Sequence, residues 1–360
     1  MTKRLLILNG VAALMLGIHH ATSYGFNAMF EWTDRYLPVA VPNYDQIGTL
    51  PYYLLIIIQQ LDFFALPAFM FVSGFFATFL FVDNDKEGRW ARIKPRIINL
   101  TIPFLLWSVL VFVLFLRRLP TDLEEVLFWY YYIPLVIQFY VLAPFLIPFA
   151  KKNWKAFLVL AVLLELGRFT LKYVARIGLD FPGFDFLMMI TPRWLFPNLF
   201  SYFAVGLVAS FHRDRLMDWL TRHRWQLLAV TIGLAVLTMV EYEVVSRAIG
   251  QRWLGSFFGG YSRLFYALAF VFCFLAFDKV EIPFSQQISA LGGKSLGVYL
   301  VHSRLMYIAA VFLYDWTPEI LGNQYLYLTI LAVFAVGGSL LLMELVKITP
   351  ARKYYKYIFG

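Results

Sequence analysis

The chain has 360 residues, of which 61% are hydrophobic, 19% aromatic and only 15% charged, with a net charge of +9. A soluble domain carries about 25% charged residues, and a soluble chain this apolar would expose large greasy patches and aggregate. The composition therefore excludes an ordinary soluble enzyme. Once the basic charge is read as membrane topology, it also removes the case for a nucleic-acid-binding protein.

About 20 mainly apolar residues are needed to cross the hydrocarbon as a helix. Ten segments qualify: 5–24, 52–81, 98–116, 126–149, 156–174, 194–211, 225–245, 261–277, 295–314 and 325–346. The expected fold is all-α, a polytopic membrane protein of about ten helices forming one transmembrane domain over 1–360. The first segment also has the make-up of a signal peptide: Lys3-Arg4, an apolar run, then Ala21-Thr22-Ser23. It is read as a retained span, because cleavage would leave nine spans and spoil the charge pattern. The second segment would be roughly 45 Å long as one helix, and Pro67 inside it predicts a kink or a break. The loop 25–50 is the longest connection, carries Glu31, Asp34 and Asp45, and is expected to lid a site.

Lys and Arg in the connections fix the orientation. With the N-terminus cytoplasmic, the inner connections hold twenty Lys and Arg, among them Lys86, Arg89, Arg92, Lys94, Arg96, Lys151, Lys152 and Lys155, against eight in the outer ones. Both termini are therefore expected in the cytoplasm.

Ionisable groups inside spans are costly and usually face a cavity. Those at span ends, Arg168, Arg263, Glu241 and Glu243, are read as snorkelling to the interface. His20 lies deep in the first span. Asn9 sits eleven residues earlier, about three turns and roughly 16 Å away on the same face. The ninth span repeats the pattern: Ser295, Tyr299 and His302 fall at i, i+4 and i+7 on one face. Polar stripes on otherwise apolar helices predict a lined cavity. The single cysteine, Cys273, cannot form an intrachain disulfide, and the five histidines lack zinc-type spacing, so no metal is expected.

These residues also carry a resemblance. Asn9-Gly10-Val-Ala12 followed by His20, Pro67 through Ser73-Gly74-Phe75, and Lys94-Pro-Arg96 through Pro103-Phe104 come first. Trp129-Tyr-Tyr131-Tyr132 through Pro144, Tyr202-Phe203-Ala-Val-Gly206, Ser295 through Tyr299-Leu-Val-His302, and the basic end with Glu344 and Pro350 follow in register. In this the chain resembles the acyltransferase 3 family of bacterial membrane acyltransferases, which includes polysaccharide O-acetyltransferases and glucan-modifying succinyltransferases. The resemblance implies a multi-pass protein of the bacterial inner membrane that moves an acetyl or other short acyl group from acyl-CoA to a hydroxyl of a cell-surface glycan or lipid-linked sugar. It implies His20 as the catalytic base or acyl carrier. Asn9, Ser73, Tyr131, Tyr299 and His302 would then line the site, and Arg89, Arg92 and Arg96 would hold the acyl-CoA phosphates. The expected partners are the lipid bilayer and the acceptor, and a homodimer is compatible with this.

The sequence departs from the family pattern at two places. Asn9 replaces the first-span arginine, and Arg96-Ile-Ile-Asn99 lacks the second arginine of the Arg-x-x-Arg motif; Arg89-Trp-Ala-Arg92 has the same spacing seven residues earlier. A transporter or flippase, or a catalytically altered family member, stays open beside the enzyme.

Overall fold

The computed structural model describes residues 1–29, 48–81, 86–179, 181–250 and 260–360. Most of the 25–50 loop therefore lies outside the described residues, as do the side chain of Arg89 and residues 251–259. Every regular element among the described residues is a helix. Lipid leaves a spanning backbone only two options, helix or closed barrel, because unpaired peptide groups find no water there.

Seven helical runs are long and apolar enough to cross a membrane: Thr2–Asn27, Leu50–Phe81, Trp90–Leu116, Tyr132–Lys152, Arg224–Ala248, Ser295–Trp316 and Gln324–Ile348. The other three expected spans differ in kind. Phe200–Phe211 and Tyr261–Ala276 are shorter apolar helices. Trp154–Arg176 has the length, with 23 residues, but carries Lys155, Glu165, Arg168 and Lys172. Val230, Ile232, Val236, Val240 and Val244 on Arg224–Ala248 are all exposed, as a face toward acyl chains requires.

The chain divides into two compact units, Met1–Leu66 with Trp225–Pro350, and Pro67–Arg224 with Ala351–Gly360. In the first unit the Thr2–Asn27 helix is central. Leu5, Leu8, Ala12, Ala21 and Phe26 on it are fully buried, and it packs on Ser285–Gly293, Gln324–Val333 and Ser295–Trp316. The crossing with Ser285–Gly293 is reciprocal: a Cβ at Gly10 would overlap the Ile288 carbonyl, and one at Gly292 the Leu6 carbonyl.

The 50–81 run is broken, as Pro67 predicts. The α-helix Leu50–Leu61 passes through a tight turn, Asp62–Phe64, into Ala65–Ala77. Pro67 has no N–H for the Phe63 carbonyl, and its ring crowds the residue four positions back, so the break falls one turn before the proline. The break frees carbonyls, and the Tyr261–Ala276 helix supplies their donors. Arg263 Nη2 donates to Gln59 O at 2.7 Å, and Tyr266 Oη to Leu61 O at 2.9 Å. Phe64 and Phe270 stack beside them, ring centroids 3.7 Å apart.

That short helix is held at both ends by other helices. Glu241 accepts from the Tyr261 and Ser262 amides, both at 2.9 Å, and from the Ser262 hydroxyl. Arg4 donates to Phe274 O, Phe277 O and Val280 O at 3.2, 2.8 and 3.0 Å. A carboxylate at the N-terminus and a guanidinium at the C-terminus match the orphan groups and the helix dipole. Glu241 is thus a cap, and Arg263, 1% exposed, is buried rather than snorkelling. Glu243 does reach the surface, paired with Arg247.

In the second unit, Tyr132–Lys152 and Trp154–Arg176 form an antiparallel hairpin about Asn153, and both pack on Phe200–Phe211. Here too a reciprocal glycine contact closes two helices: a Cβ at Gly74 would overlap the Phe203 carbonyl, and one at Gly206 the Phe71 carbonyl. Small residues that let backbones approach are a main source of helix association in lipid. The Ser73-Gly74-Phe75 and Tyr202-Phe203-x-x-Gly206 motifs are therefore the two sides of one crossing. The Tyr355–Phe359 helix closes the unit, with Trp107 Nε1 donating to Ile358 O at 2.8 Å.

Gly206→Ala is expected to lower the thermal midpoint of the detergent-purified protein by several degrees, because backbone rather than a flexible side chain must yield. Gly233→Ala, where nothing lies within 4 Å of the new Cβ, is the control, with a neutral or slightly raised midpoint.

Candidate functional site

The first unit gathers three histidines and a carboxylate. His19 and His20 are consecutive, so they leave the helix about 100° apart. His19 Nδ1 lies 2.7 Å from Asp62 Oδ1, and the Asp62 side chain is 1% exposed. Its second oxygen, Oδ2, is buried without a partner. His20 turns toward the Ser295–Trp316 helix, its ring centroid 5.1 Å from that of His302 and 5.5 Å from that of His19. Tyr299 stands beside His302 at 6.0 Å. The i, i+4, i+7 face predicted for the ninth span therefore meets the His20 face of the first.

His302 has a defined protonation pattern. Its Nδ1 lies 3.0 Å from Val298 O and 2.8 Å from Tyr299 O. Carbonyls only accept, so Nδ1 carries the hydrogen, and Nε2 of the neutral ring is left with its lone pair. That Nε2 is buried and has no partner. The arrangement is a base-type nitrogen next to a second imidazole, with an Asp–His pair adjoining it. Such a row can accept a proton from a hydroxyl and delocalise the charge.

Asn9 lies on the same helix as His20, with a buried, unpartnered Oδ1. It presents an amide where the family pattern has a guanidinium. A carboxamide is neutral and carries two acceptor and two donor positions, so an anion would be held less firmly there.

The remaining predicted residues belong to the second unit. The Ser73 hydroxyl hydrogen-bonds Tyr132, the neighbour of predicted Tyr131. Arg92 Nε donates to Leu80 O at 3.0 Å, closing the end of the short turn that follows Ala65–Ala77. Arg96 is exposed and within electrostatic reach of Tyr140. Of the three arginines assigned to the acyl donor, Arg96 thus has its guanidinium at the surface, Arg92 is partly engaged in the fold, and Arg89 lies outside the described side chains.

Asp62 and His19 are both polar groups inside apolar segments, and nothing in the sequence joins them. The signal was present in one form only: a carboxylate inside an apolar run needs a buried donor. Which donor depends on the break at Asp62–Phe64, which turns Asp62 off the regular helix.

The fold and this polar row define an all-α multi-pass membrane protein with a histidine-lined interior in one unit. The chain belongs to the acyltransferase 3 family: the family's acyltransferase domain profile matches residues 5–344, nearly the whole chain. No curated protein and no solved structure matches it. Membership makes it a membrane acyltransferase in general terms.

Asp62→Ala is expected to lower the thermal midpoint by removing the partner of His19, a loss of about 2 kcal/mol for a hydrogen bond to a charged group. Asp62→Asn, which keeps an acceptor oxygen, should cost less. Equal midpoints for Asp62→Ala and the parent would show that the pair contributes nothing to the fold.

Proposed function

We propose that this protein transfers an acetyl or other short acyl group from acyl-CoA to a hydroxyl of a cell-surface glycan or lipid-linked sugar, at the bacterial inner membrane. The single observation that carries the reading is the His20–His302 ring contact with an unpartnered imidazole nitrogen. Acyl transfer to an alcohol needs a group that removes the hydroxyl proton as the oxygen attacks the thioester carbonyl. His20 takes that proton. The tetrahedral intermediate then collapses, the carbon–sulfur bond breaks, and CoA leaves as a thiolate that recovers a proton from the imidazolium. His302 Nε2 faces the same space as an acceptor for the substrate hydroxyl or for the proton on His20. The Asp62–His19 pair stands behind the row as a positioning element. Tyr299 and Asn9 are assigned to the site with His20, and Ser73 and Tyr131 to substrate contacts. Arg89, Arg92 and Arg96 bind the donor phosphates, as guanidinium groups do well through paired N–H bonds.

A second reading, a catalytically altered family member, is favoured by one observation: Asn9 and Asn99 stand where the family pattern has arginines. The two readings separate in one experiment. His20→Ala in the native host should lower acylation of surface glycans, read by mass spectrometry, by a factor of about 10²–10⁴. Unchanged acylation rejects His20 as the base, and no acylation attributable to the parent protein favours the altered member.

Arg96→Ala should raise the KM for acetyl-CoA about tenfold while leaving kcat near the parent value, as expected for a residue that binds the donor equally before and during reaction. A fall in kcat with unchanged KM would remove Arg96 from the donor site.

A further inference from the structure

The second unit holds a buried ion pair that the acyl-transfer scheme does not use. Glu165 and Arg168 lie on Trp154–Arg176, two turns before its end, and are 0% and 5% exposed. Arg168 Nη2 donates to Glu165 Oε1 at 2.6 Å. That contact uses one donor of a group with five. The guanidinium also lies over the Phe169 ring, 4.9 Å from its centroid, but Arg168 Nε and Nη1 are buried without hydrogen-bond partners, and so is Glu165 Oε2. A guanidinium cannot relieve its burial by shedding a proton, so these donors call for an acceptor.

The neighbourhood points the same way. Gln138 on Tyr132–Lys152 and Arg168 on Trp154–Arg176 are each fifteen residues from Asn153, so the antiparallel hairpin sets them level, about 22 Å from its turn. Gln138 in turn fixes the following segment: Nε2 donates to Trp194 O at 2.6 Å, and Oε1 accepts from the Phe196 amide at 3.1 Å. Trp194 Nε1 is a further buried donor without a partner. Arg193, next to it, lies over the Phe128 ring at 5.7 Å. Arg193 and Arg168 both lie within electrostatic reach of the Tyr131 phenol.

The chemistry of these atoms is lopsided. In this part of the unit three unpartnered donors (Arg168 Nε, Arg168 Nη1 and Trp194 Nε1) stand against one unpartnered acceptor, Glu165 Oε2. Guanidinium N–H groups pair best with the oxygens of a carboxylate or a phosphate. A ligand that fits brings several acceptor oxygens with negative charge and one hydroxyl to donate to Glu165, and the Phe169 ring under Arg168 and the Phe128 ring under Arg193 add aromatic surface that suits a sugar face. We propose that Arg168, Glu165 and Trp194 form a binding site for the oxyanion of an acidic or phosphorylated sugar, at the end of the hairpin opposite Lys151-Lys152. It rests on the proposed function in that the sugar is the acyl acceptor; the binding itself does not depend on His20.

The test is binding by the full-length protein in phosphatidylcholine nanodiscs. Glucose 1-phosphate and glucuronate are the probes, and glucose is the neutral control. Saturable binding of either anion, at least tenfold tighter than glucose, is expected. The double variant Glu165→Gln/Arg168→Gln, which removes both buried charges together and so leaves neither unpaired, should weaken anion binding tenfold or more. Arg168→Lys, which keeps the charge but not the planar fork, serves as the second variant if the double one does not fold, with the same direction of change. His20→Ala should bind like the parent, so loss of acyl transfer in that variant and loss of this site are separate outcomes. No anion binding, equal binding of glucose, or parental affinity in the folded variants overturns the site. If phosphatidylglycerol in the nanodisc abolishes anion binding by the parent, the site belongs to a bilayer headgroup and the acceptor assignment falls.

Discussion

The first unit is organised by a break in one helix. Inside lipid a freed carbonyl has no water to turn to, so the interruption at Asp62–Phe64 is tolerable only if other helices bring donors to it. Tyr261–Ala276 does this with Arg263 and Tyr266, and is then itself fixed by Glu241 at one end and Arg4 at the other. Each link removes a charge or a peptide group from a hydrocarbon setting by pairing it. Arg263, Tyr266, Glu241 and Arg4 thus form one chain of caps. Asp62, turned off the regular helix by the same break, is presented to His19.

That arrangement explains why two adjacent histidines have different partners. His19 faces the break and takes a carboxylate; His20, about 100° further round the helix, faces His302. The carbonyl pair under His302 Nδ1 fixes which nitrogen holds the hydrogen, and so which one keeps its lone pair. That tautomer is set by backbone acceptors, which substitution of neighbouring side chains leaves in place. The second unit follows a different rule. Its most recognisable motifs, around Gly74 and Gly206, bring two backbones together, so they support the fold first, and Ser73 takes its place beside Tyr132 as a consequence.

Much of the fold was legible in the residues. Apolar length follows directly from what a bilayer demands of each segment by itself, and that property is local. The break near Pro67 was legible for the same reason, since the missing N–H and the ring act within one turn. The shared face of Ser295, Tyr299 and His302 came from helical periodicity, and the family from motifs in register along nearly the whole chain. What periodicity did not distinguish was a charge that snorkels from one that is engaged by the fold: Glu243 reaches the surface, Glu241 caps a neighbouring helix, and Arg263 and Arg168 are buried.

The sequence by itself determined the solvent, the helices and the candidate polar faces, because each depends on residues within a few turns of one another. Only the tertiary structure decided the partners. His19 meets Asp62, His20 meets His302, Arg4 closes the end of Tyr261–Ala276, and the donors of Arg168 go unpaired, through contacts between segments far apart in the chain. A helix's own periodicity says which side a residue is on; it takes the neighbouring helix to say what stands there.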